Sequence, residues 1–344
     1  MKKRIREYGI VIGTHETGKL NKISDVPGVT VGHYTVDTEE HKTGVTVIMP
    51  CQDNMFVNKL TAAAFVHNGF GKTAGIPQIE ELGTLETPIA LTNTLNVGRV
   101  QDALIDYIVE RSANEGVSVT SSNAVVGECN DASLNKIAER VIGIEEVRKA
   151  INSACEDFAE GDVGAGKGTT CFGLKGGIGS ASRKIEMNGQ IYTIGALVLS
   201  NYGLYNDLLI NGEQISKTIP HPSHFENDKG SIITILATDL PLSERQLKRI
   251  CKRTVVGLSR MGSYMSNGSG EIVIAFSTAN RIPHYPKEDI LSYGFVHDSL
   301  LNIVFRGVAE VVEESVLSSM LHAETVTGKY NRQLRSLAEL LERK

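Results

Sequence analysis

The sequence predicts an α+β fold in which two β-sheets stack face to face and helices cover them on the outside. Two candidate strands, 232–236 and 271–276, are apolar or β-branched at nearly every position. That pattern is typical of a strand covered on both faces. Predicted strands and helices also occur in runs and do not alternate strictly. Together these observations favour stacked sheets with outer helices over an open sheet.

Composition limits the classes of partner. The chain has 344 residues, 41% of them hydrophobic, and a net charge of −5 without a dense block of Lys and Arg. This argues against nucleic acid or an anionic membrane as a partner and favours a small molecule. Five scattered cysteines without a C-x-x-C pair argue against a disulfide framework and a zinc site, and predict small buried residues in a reducing compartment. Since no long apolar run or signal peptide is found, we expect a cytoplasmic protein.

Turn signals and apolar periodicity place the elements of the first half. A short strand is predicted after the turn at Pro27 and Gly28, and another covers 43–49, which is rich in β-branched residues. An apolar stripe predicts a helix over 97–110, with Asn96 as its N-cap. Two further helices are predicted over 134–141 and 145–159.

The run 161–170 is rich in glycine and contains Lys167. Bare amides and a lysine are what a phosphate-binding loop needs, and the run is similar to the loop of nucleoside monophosphate kinases. However, it follows a predicted helix where a phosphate loop follows a strand. We therefore expect its glycines to allow close backbone approach, with nucleotide binding as the alternative.

The second half begins with the most distinct local signal, Asn188-Gly189, which predicts a hairpin of 182–187 and 190–200. A loop-like connector over 204–230 follows. Its two histidines, His221 and His224, are candidate metal ligands, but no thiol or carboxylate stands at ligand spacing.

Helical patterns then dominate. Ser243 and Gln246 form a capping-box pattern at the start of a predicted helix that extends to Gly262. A long helix is predicted over 300–321 and a short final one over 333–341.

Ser231 is the candidate nucleophile, since a polar loop ending in Gly230 leads directly into a buried strand that begins with this serine. Without further evidence, Gly230 and Ser231 would indicate only that a turn ends and a strand begins. A serine hydroxyl needs a base, and no histidine stands in a motif with Ser231 or Ser269. Cleavage between Gly230 and Ser231 would supply the missing base, because the freed α-amino group of Ser231 would have a pKa of about 7.7–8.0, as in model compounds.

Six separated segments carry a more specific signal, in this order along nearly the whole chain: 23–33 (ISDVPGVTVGH), 126–131 (VGECND), the glycine-rich 164–183, 201–203 (NYG), 230–233 (GSII) and 267–271 (NGSGE). They resemble the self-processing aminopeptidases of peptidase family S58, the L-aminopeptidase/D-esterase and β-peptidyl aminopeptidase group. The resemblance implies a serine-type hydrolase.

The resemblance also assigns residues. It implies cleavage before the nucleophilic Ser231, which would give an α chain 1–230 and a β chain 231–344 of one self-processing domain. Ser269 and Glu271 would hold the freed amine and hydroxyl; they are two positions apart and point to the same face if the strand already runs there. Asn201 would contribute to the oxyanion hole.

Two further residues, Glu128 and Asn130, are assigned to substrate binding. The carboxylate of Glu128 would receive the free amino group of the substrate, which fits an exopeptidase because one buried carboxylate pairs with one ammonium. The implied substrates are short peptides, amino acid amides or esters. Their N-terminal residues would leave through an acyl-enzyme on Ser231.

The resemblance finally implies a four-layer αββα sandwich, comparable to N-terminal-nucleophile hydrolases but with different strand connections. It implies a homo-oligomer of processed heterodimers and no cofactor. Two alternatives remain: a self-processing acyltransferase of the ornithine acetyltransferase fold, which exposes a threonine, and a family member that does not cleave itself and acts as a binding protein. Ser231 and the motif 267–271 favour the peptidase.

Overall fold

The computed structural model describes residues 2–220 and 230–342. Its strands are β1 (Thr30–Asp37), β2 (Lys42–Met49), β3 (Asn58–Gly69), β4 (Thr84–Leu85), β5 (Ile89–Asn93), β6 (Val125–Cys129), β7 (Thr170–Cys171), β8 (Leu174–Lys175), β9 (Gly177–Met187), β10 (Gln190–Asn201), β11 (Leu209–Ile210), β12 (Glu213–Gln214), β13 (Ser231–Thr238), β14 (Gly270–Pro283), β15 (Val326–Thr327) and β16 (Gln333–Leu334). Its α-helices are α1 (Ile76–Leu82), α2 (Val97–Asn114), α3 (Ile144–Asn152), α4 (Glu244–Cys251), α5 (Thr254–Arg260), α6 (Leu301–Leu321) and α7 (Leu337–Glu342).

Two large sheets form the centre of the fold. One has four strands in the order β1-β2-β5-β6, and the other has six in the order β4-β3-β14-β13-β10-β9. Strands β13 and β14 run parallel, while β13 pairs antiparallel with β10 and β14 pairs antiparallel with β3. Strands β13, which begins at Ser231, and β14 therefore lie between β10 and β3, which both precede Ser231 in the sequence.

Three apolar cores separate four layers. Alternate residues of β13 face opposite ways: Ile233 and Ile235 belong to a core shared with the four-stranded sheet, whereas Ile232 and Leu236 belong to one shared with α4, α5 and α6. A third core lies between the four-stranded sheet and helices α2 and α3. The order is helices, sheet, sheet, helices, which confirms the predicted αββα sandwich.

Several local predictions are confirmed. The hairpin of β9 and β10 turns at Asn188 and Gly189, both with positive φ. Ser243 caps α4, because its hydroxyl accepts from the N–H of Gln246 while Gln246 Oε1 accepts from the N–H of Ser243. Asn96 precedes α2 but does not cap it with its side chain.

Some predicted helices are wrong or shorter. Over 134–141 the chain has only a 3₁₀ turn, Ile137–Glu139, because Leu134 is buried in a small core with Val326 and Leu334. Helix α3 ends at Asn152, and the backbone of Cys155 pairs with Val31 of β1. The helix expected to reach Gly262 is divided into α4 and α5, and 333–334 form a strand before α7.

The glycine-rich run is a packing element. A Cβ at Gly168 would lie 2.0 Å from the carbonyl oxygen of Lys42, and one at Gly166 would lie 2.6 Å from the nitrogen of Ile178. Lys167 forms ion pairs with Asp37 at 2.7 Å and Asp162 at 2.9 Å. These contacts favour the expected close approach of backbones over a phosphate loop.

Three other expectations concern the chain as a whole. His221 and His224 lie outside the described residues. The five cysteines are free, and four are buried as expected, whereas Cys155 is exposed. Among the helices of 2–220 and 230–342, none is both long enough and apolar enough to cross a membrane.

A buried ion network joins the start of the chain to α6. Arg183 is fully buried, and its guanidinium donates to Glu310 at 3.0 Å and Glu314 at 2.5 Å. Arg6 also donates to both oxygens of Glu314 at 3.0 Å. Burial favours a raised pKa for Glu314, but Arg6 and Arg183 outweigh it and hold that pKa below its ordinary value. The resulting stabilisation is complete above the carboxyl's unfolded pKa and is lost as the pH falls through the folded pKa.

Replacing Arg183 by methionine should destabilise the protein severely, since it leaves two buried carboxylates without their shared cation. We expect a loss of about 3–5 kcal/mol in the free energy of unfolding, measured by urea denaturation of this variant and its control in the Ser231→Ala background, where the chain stays uncut and can refold. Arg148→Met is the control, because Arg148 pairs with Asp106 and Glu110 at the surface. Equal stability of the two variants would show that the buried network contributes little.

Candidate active site

Three strand ends meet at Ser231. It is the first residue of β13, and it lies opposite Asn201 of β10 in the antiparallel pair and opposite Gly270 of β14 in the parallel pair. The alternation of β13 places Ser231 on the face of Ile233, which is directed toward the four-stranded sheet. The hydroxyl is therefore held at the edge between the two sheets, where only 7% of the residue is exposed.

One backbone donor contacts both groups that a self-cleavage would require. The N–H of Gly270 lies 3.2 Å from Ser231 Oγ and 3.3 Å from the carbonyl oxygen of Gly230. A Cβ at position 230 would lie 1.8 Å from the carbonyl oxygen of Asn201, so any residue other than glycine would force the backbone to shift. The peptide bond before Ser231 is thus held against β10 on one side and β14 on the other.

Ser269 and Glu271 flank Gly270, and their side chains meet. Both are buried, and the Ser269 hydroxyl donates to Glu271 Oε1, so the two side chains meet although Ser269 precedes β14, which begins at Gly270. Asn68 at the end of β3 fixes the loop before them, since its Nδ2 donates to the carbonyl oxygens of Ser266, at 2.8 Å, and Ser269. Gly270, whose N–H contacts Ser231 Oγ, therefore lies between the two residues of this pair.

Asn201 is oriented by the glycine-rich segment. The backbone N–H of Thr170 donates to Asn201 Oδ1 at 2.8 Å. Because Oδ1 is engaged there, the amide Nδ2 is directed away from Thr170. A carboxamide held in this way can present its N–H groups to an oxygen that develops negative charge.

Glu128 lies on β6 of the other sheet, and its carboxylate is buried. Oε1 accepts from the backbone N–H of Lys72 at 2.9 Å, and Oε2 accepts from the hydroxyl of Thr94. The next residue, Cys129, reaches Ser231: its Sγ lies 3.4 Å from the Ser231 carbonyl oxygen. Burial raises the pKa of Cys129 well above its ordinary value, so this thiol is neutral. The end of β6 therefore contacts Ser231 through Cys129, while the carboxylate of Glu128 is held by Lys72 and Thr94.

Asn130 is placed differently. It is exposed, and its Oδ1 accepts from the N–H of Ala132 at 3.0 Å, which is a local turn contact. Asn130 therefore follows Glu128 and Cys129 as an exposed residue, with its carboxamide bonded within its own loop.

Candidate metal ligands lie elsewhere. Within 2–220 and 230–342, Glu40, His41 and Glu139 are the group of carboxylates and imidazoles close enough to share an ion. They include none of the residues around Ser231, and Glu40 is already paired with Lys136. Exposed acidic groups of this kind are no evidence for a metal site.

Sequence reasoning missed the groups that orient the site. The donor at Gly270 is a backbone N–H, so no side-chain pattern marks it. Thr170 and Lys72 also act through their backbone N–H groups. Asn68 had a weak signal, as a polar residue shortly after the apolar run 62–66.

Comparison with known proteins shows the family of this chain. Residues 21–334 match the model of peptidase family S58. A β-peptidyl aminopeptidase, BapA of Sphingosinicella microcystinivorans, is 34% identical in an alignment that covers 94% of this chain and 87% of that protein.

Two solved structures share the fold over nearly their whole length. The PH0078 protein from Pyrococcus horikoshii OT3 is 47% identical with a TM-score of 0.92, and 99% of this chain and 98% of that one are covered. The L-aminopeptidase D-Ala-esterase/amidase from Ochrobactrum anthropi is 34% identical with a TM-score of 0.93 and the same coverage, and is described as a serine aminopeptidase with a variant of the Ntn hydrolase fold. From the family match, these relatives and the arrangement around Ser231, we conclude that this chain belongs to peptidase family S58.

Proposed function

We propose that this protein is a serine aminopeptidase that cuts its own chain between Gly230 and Ser231 and then releases N-terminal residues from short peptides, amides or esters. The observation that carries the proposal is the position of Ser231, opposite Asn201 and Gly270, with the Gly270 N–H in contact with both Ser231 Oγ and the Gly230 carbonyl oxygen. The relatives named aminopeptidases support the class of substrate.

Self-cleavage begins with attack of Ser231 Oγ on the carbonyl carbon of Gly230. The C–N bond breaks as the hydroxyl proton passes to the nitrogen of Ser231, and an ester joins Gly230 to Oγ. Water hydrolyses this ester and leaves the chains 1–230 and 231–344. The Gly270 N–H supports this step because it can donate to the oxygen of Gly230 as negative charge develops there.

The freed α-amino group of Ser231 then serves as the base. It accepts the proton of Oγ as the hydroxyl attacks the substrate carbonyl, and it returns the proton to the leaving amine. Ser269 and Glu271, hydrogen-bonded to each other beside Gly270, hold this amine and hydroxyl in place. Asn201 donates to the oxyanion, and water releases the acyl group from Ser231.

Glu128 selects substrates with a free amino group. Its carboxylate accepts from two neutral donors, Lys72 N–H and Thr94 Oγ, and has no cation among these contacts. A substrate ammonium supplies that positive charge. We assign Asn130, an exposed residue two positions after Glu128, to contacts with parts of the substrate other than its amino group.

We also propose a cytoplasmic homo-oligomer of processed heterodimers. Free thiols at all five cysteines support a reducing compartment. Exposed apolar side chains over 290–295, among them Ile290 and Phe295, support an interface between copies.

Intact-mass analysis of freshly expressed protein tests the nucleophile. Wild type should give two chains, the smaller beginning at Ser231, whereas Ser231→Ala should remain a single folded chain. Ser277→Ala is a matched control, since Ser277 is a buried serine farther along β14 that bonds to the Leu240 carbonyl and should not prevent cleavage. A folded wild type that stays whole would favour the binding-protein alternative. Transfer of the acyl group to an added amine, in place of hydrolysis, would favour the acyltransferase.

Gly230→Ala should slow self-cleavage, because the added Cβ would clash with the Asn201 carbonyl oxygen and displace the Gly230 carbonyl from the Gly270 N–H. A displacement of about 1 Å can reduce a rate by about 10²-fold. The measurement is the time course of the 231–344 chain by mass spectrometry. Gly98→Ala, which adds a Cβ in open space on α2, should leave the time course unchanged. Equal rates for the two variants would mean that the close contact at Gly230 does not position the scissile bond.

Glu128→Gln should reduce kcat/KM by about 10- to 100-fold for substrates with a free amino group, as expected for the loss of one charge-assisted hydrogen bond. Hydrolysis of L-alanine and β-alanine p-nitroanilides measures the effect. Glu139→Gln, an exposed carboxylate, is the control. If N-acetylated and free substrates lose the same factor, Glu128 supports the structure of the site and does not select the ammonium.

A further inference from the structure

A second fully buried cation, Lys175, lies near the site and has no role in the proposed reaction. Lys175 is 0% exposed. Its Nζ donates to three carbonyl oxygens, those of Gly166 at 2.8 Å, Thr169 at 2.9 Å and Gly176 at 2.7 Å. An ammonium has three N–H donors, and all three are used, so these acceptors favour the charged form. Burial acts in the opposite direction and lowers the pKa of Lys175 to about 7.

One of these carbonyls connects Lys175 to Asn201. The carbonyl of Thr169 and the N–H of Thr170 belong to the same peptide unit. The carbonyl accepts from Lys175 Nζ at 2.9 Å, and the N–H donates to Asn201 Oδ1 at 2.8 Å. Two amide groups, one of the backbone and one of Asn201, thus form a chain from the ammonium to the residue opposite Ser231.

Charge at one end of such a chain acts on the other end. An ammonium at the Thr169 oxygen withdraws electron density from the peptide, so the Thr170 N–H becomes a better donor. That donor in turn polarises the carboxamide of Asn201, so its Nδ2 hydrogens become more positive. In a dry interior the effect is larger than in water, because the dielectric constant is low.

The ammonium is also held in place. The backbone N–H of Lys175 donates to the carbonyl of Arg335 at 2.8 Å, and that of Gly176 donates to Thr169 at 3.1 Å. Lys175 and Thr170 pair with each other in the β7–β8 hairpin. Both ends of the Thr169–Thr170 peptide are therefore fixed relative to β10.

We propose that Lys175 is a positioning residue of the oxyanion site: its buried ammonium holds and polarises the Thr169–Thr170 peptide, and this peptide orients and activates Asn201. The inference rests on the proposed role of Asn201. On this proposal, the positive charge that supports the oxyanion site belongs to Lys175, a side chain that does not contact the substrate. Since the effect grows as charge develops on the substrate oxygen, it should appear in kcat and not in KM.

A double-mutant cycle tests this inference. Lys175→Gln removes the charge but keeps two N–H donors for the carbonyls, and Lys175→Met serves if the glutamine variant does not fold. Turnover of L-alanine or β-alanine p-nitroanilide is measured per processed chain for each variant alone and with Asn201→Ala. Lys167→Gln is the matched control, since Lys167 is a buried lysine of the same loop that pairs with Asp37 and Asp162.

Asn201→Ala should lower kcat by about 10²–10³-fold, the usual loss for one oxyanion donor, and Lys175→Gln by a smaller factor, about 5- to 50-fold, with KM nearly unchanged. In the Asn201→Ala background, Lys175→Gln should change kcat less than about twofold, because residues that act as a unit are not additive. Equal losses in both backgrounds, or the same loss in Lys167→Gln, would overturn the inference. An unchanged kcat in Asn201→Ala alone would instead overturn the proposed role of Asn201.

Discussion

The register of three strands is the constraint on which this molecule depends. Asn201, Ser231 and Gly270 lie side by side because β10, β13 and β14 pair in one alignment. A slip of one residue in β13 would exchange its two faces, so that Ile232 and Leu236 would leave the core beneath the helices. Burial on both faces of β13 opposes that slip. The burial of apolar side chains that fixes the register of β13 therefore also places the Ser231 hydroxyl beside Asn201 and Gly270.

Two fully buried cations, Arg183 and Lys175, serve this arrangement in different ways. The charge of Arg183 is neutralised by Glu310 and Glu314, so its field is local and it links the N-terminal segment to α6. Lys175 contacts carbonyl dipoles, which stabilise an ammonium without cancelling its charge. Its field therefore extends along the peptide that it binds. The first cation stabilises the fold, and the second, on the inference above, acts on the chemistry.

Much of the fold could be predicted from sequence because its determinants are local. The Asn188-Gly189 turn and the cap at Ser243 depend on a few adjacent residues, and Ser231 stands at the start of a strand with unmistakable apolar character. The helix expected over 134–141 failed because Leu134 packs against Val326 and Leu334, almost two hundred residues away. The orienting contacts around Ser231 could not be predicted for the same reason: they join backbone groups such as Gly270 N–H across strands distant in sequence.

The interleaved strand order of the six-stranded sheet limits refolding of the protein after its chain is cut. Strands β13 and β14 lie between β3 and β10, so a cut before Ser231 leaves two pieces that share one sheet. Before the cut, folding is a unimolecular search by one chain; afterwards, a denatured molecule could recover only by a bimolecular encounter of two partial sheets. Each molecule would thus have a single efficient chance to fold. The mature enzyme would persist through a slow rate of unfolding, a kinetic property, and not through its capacity to refold.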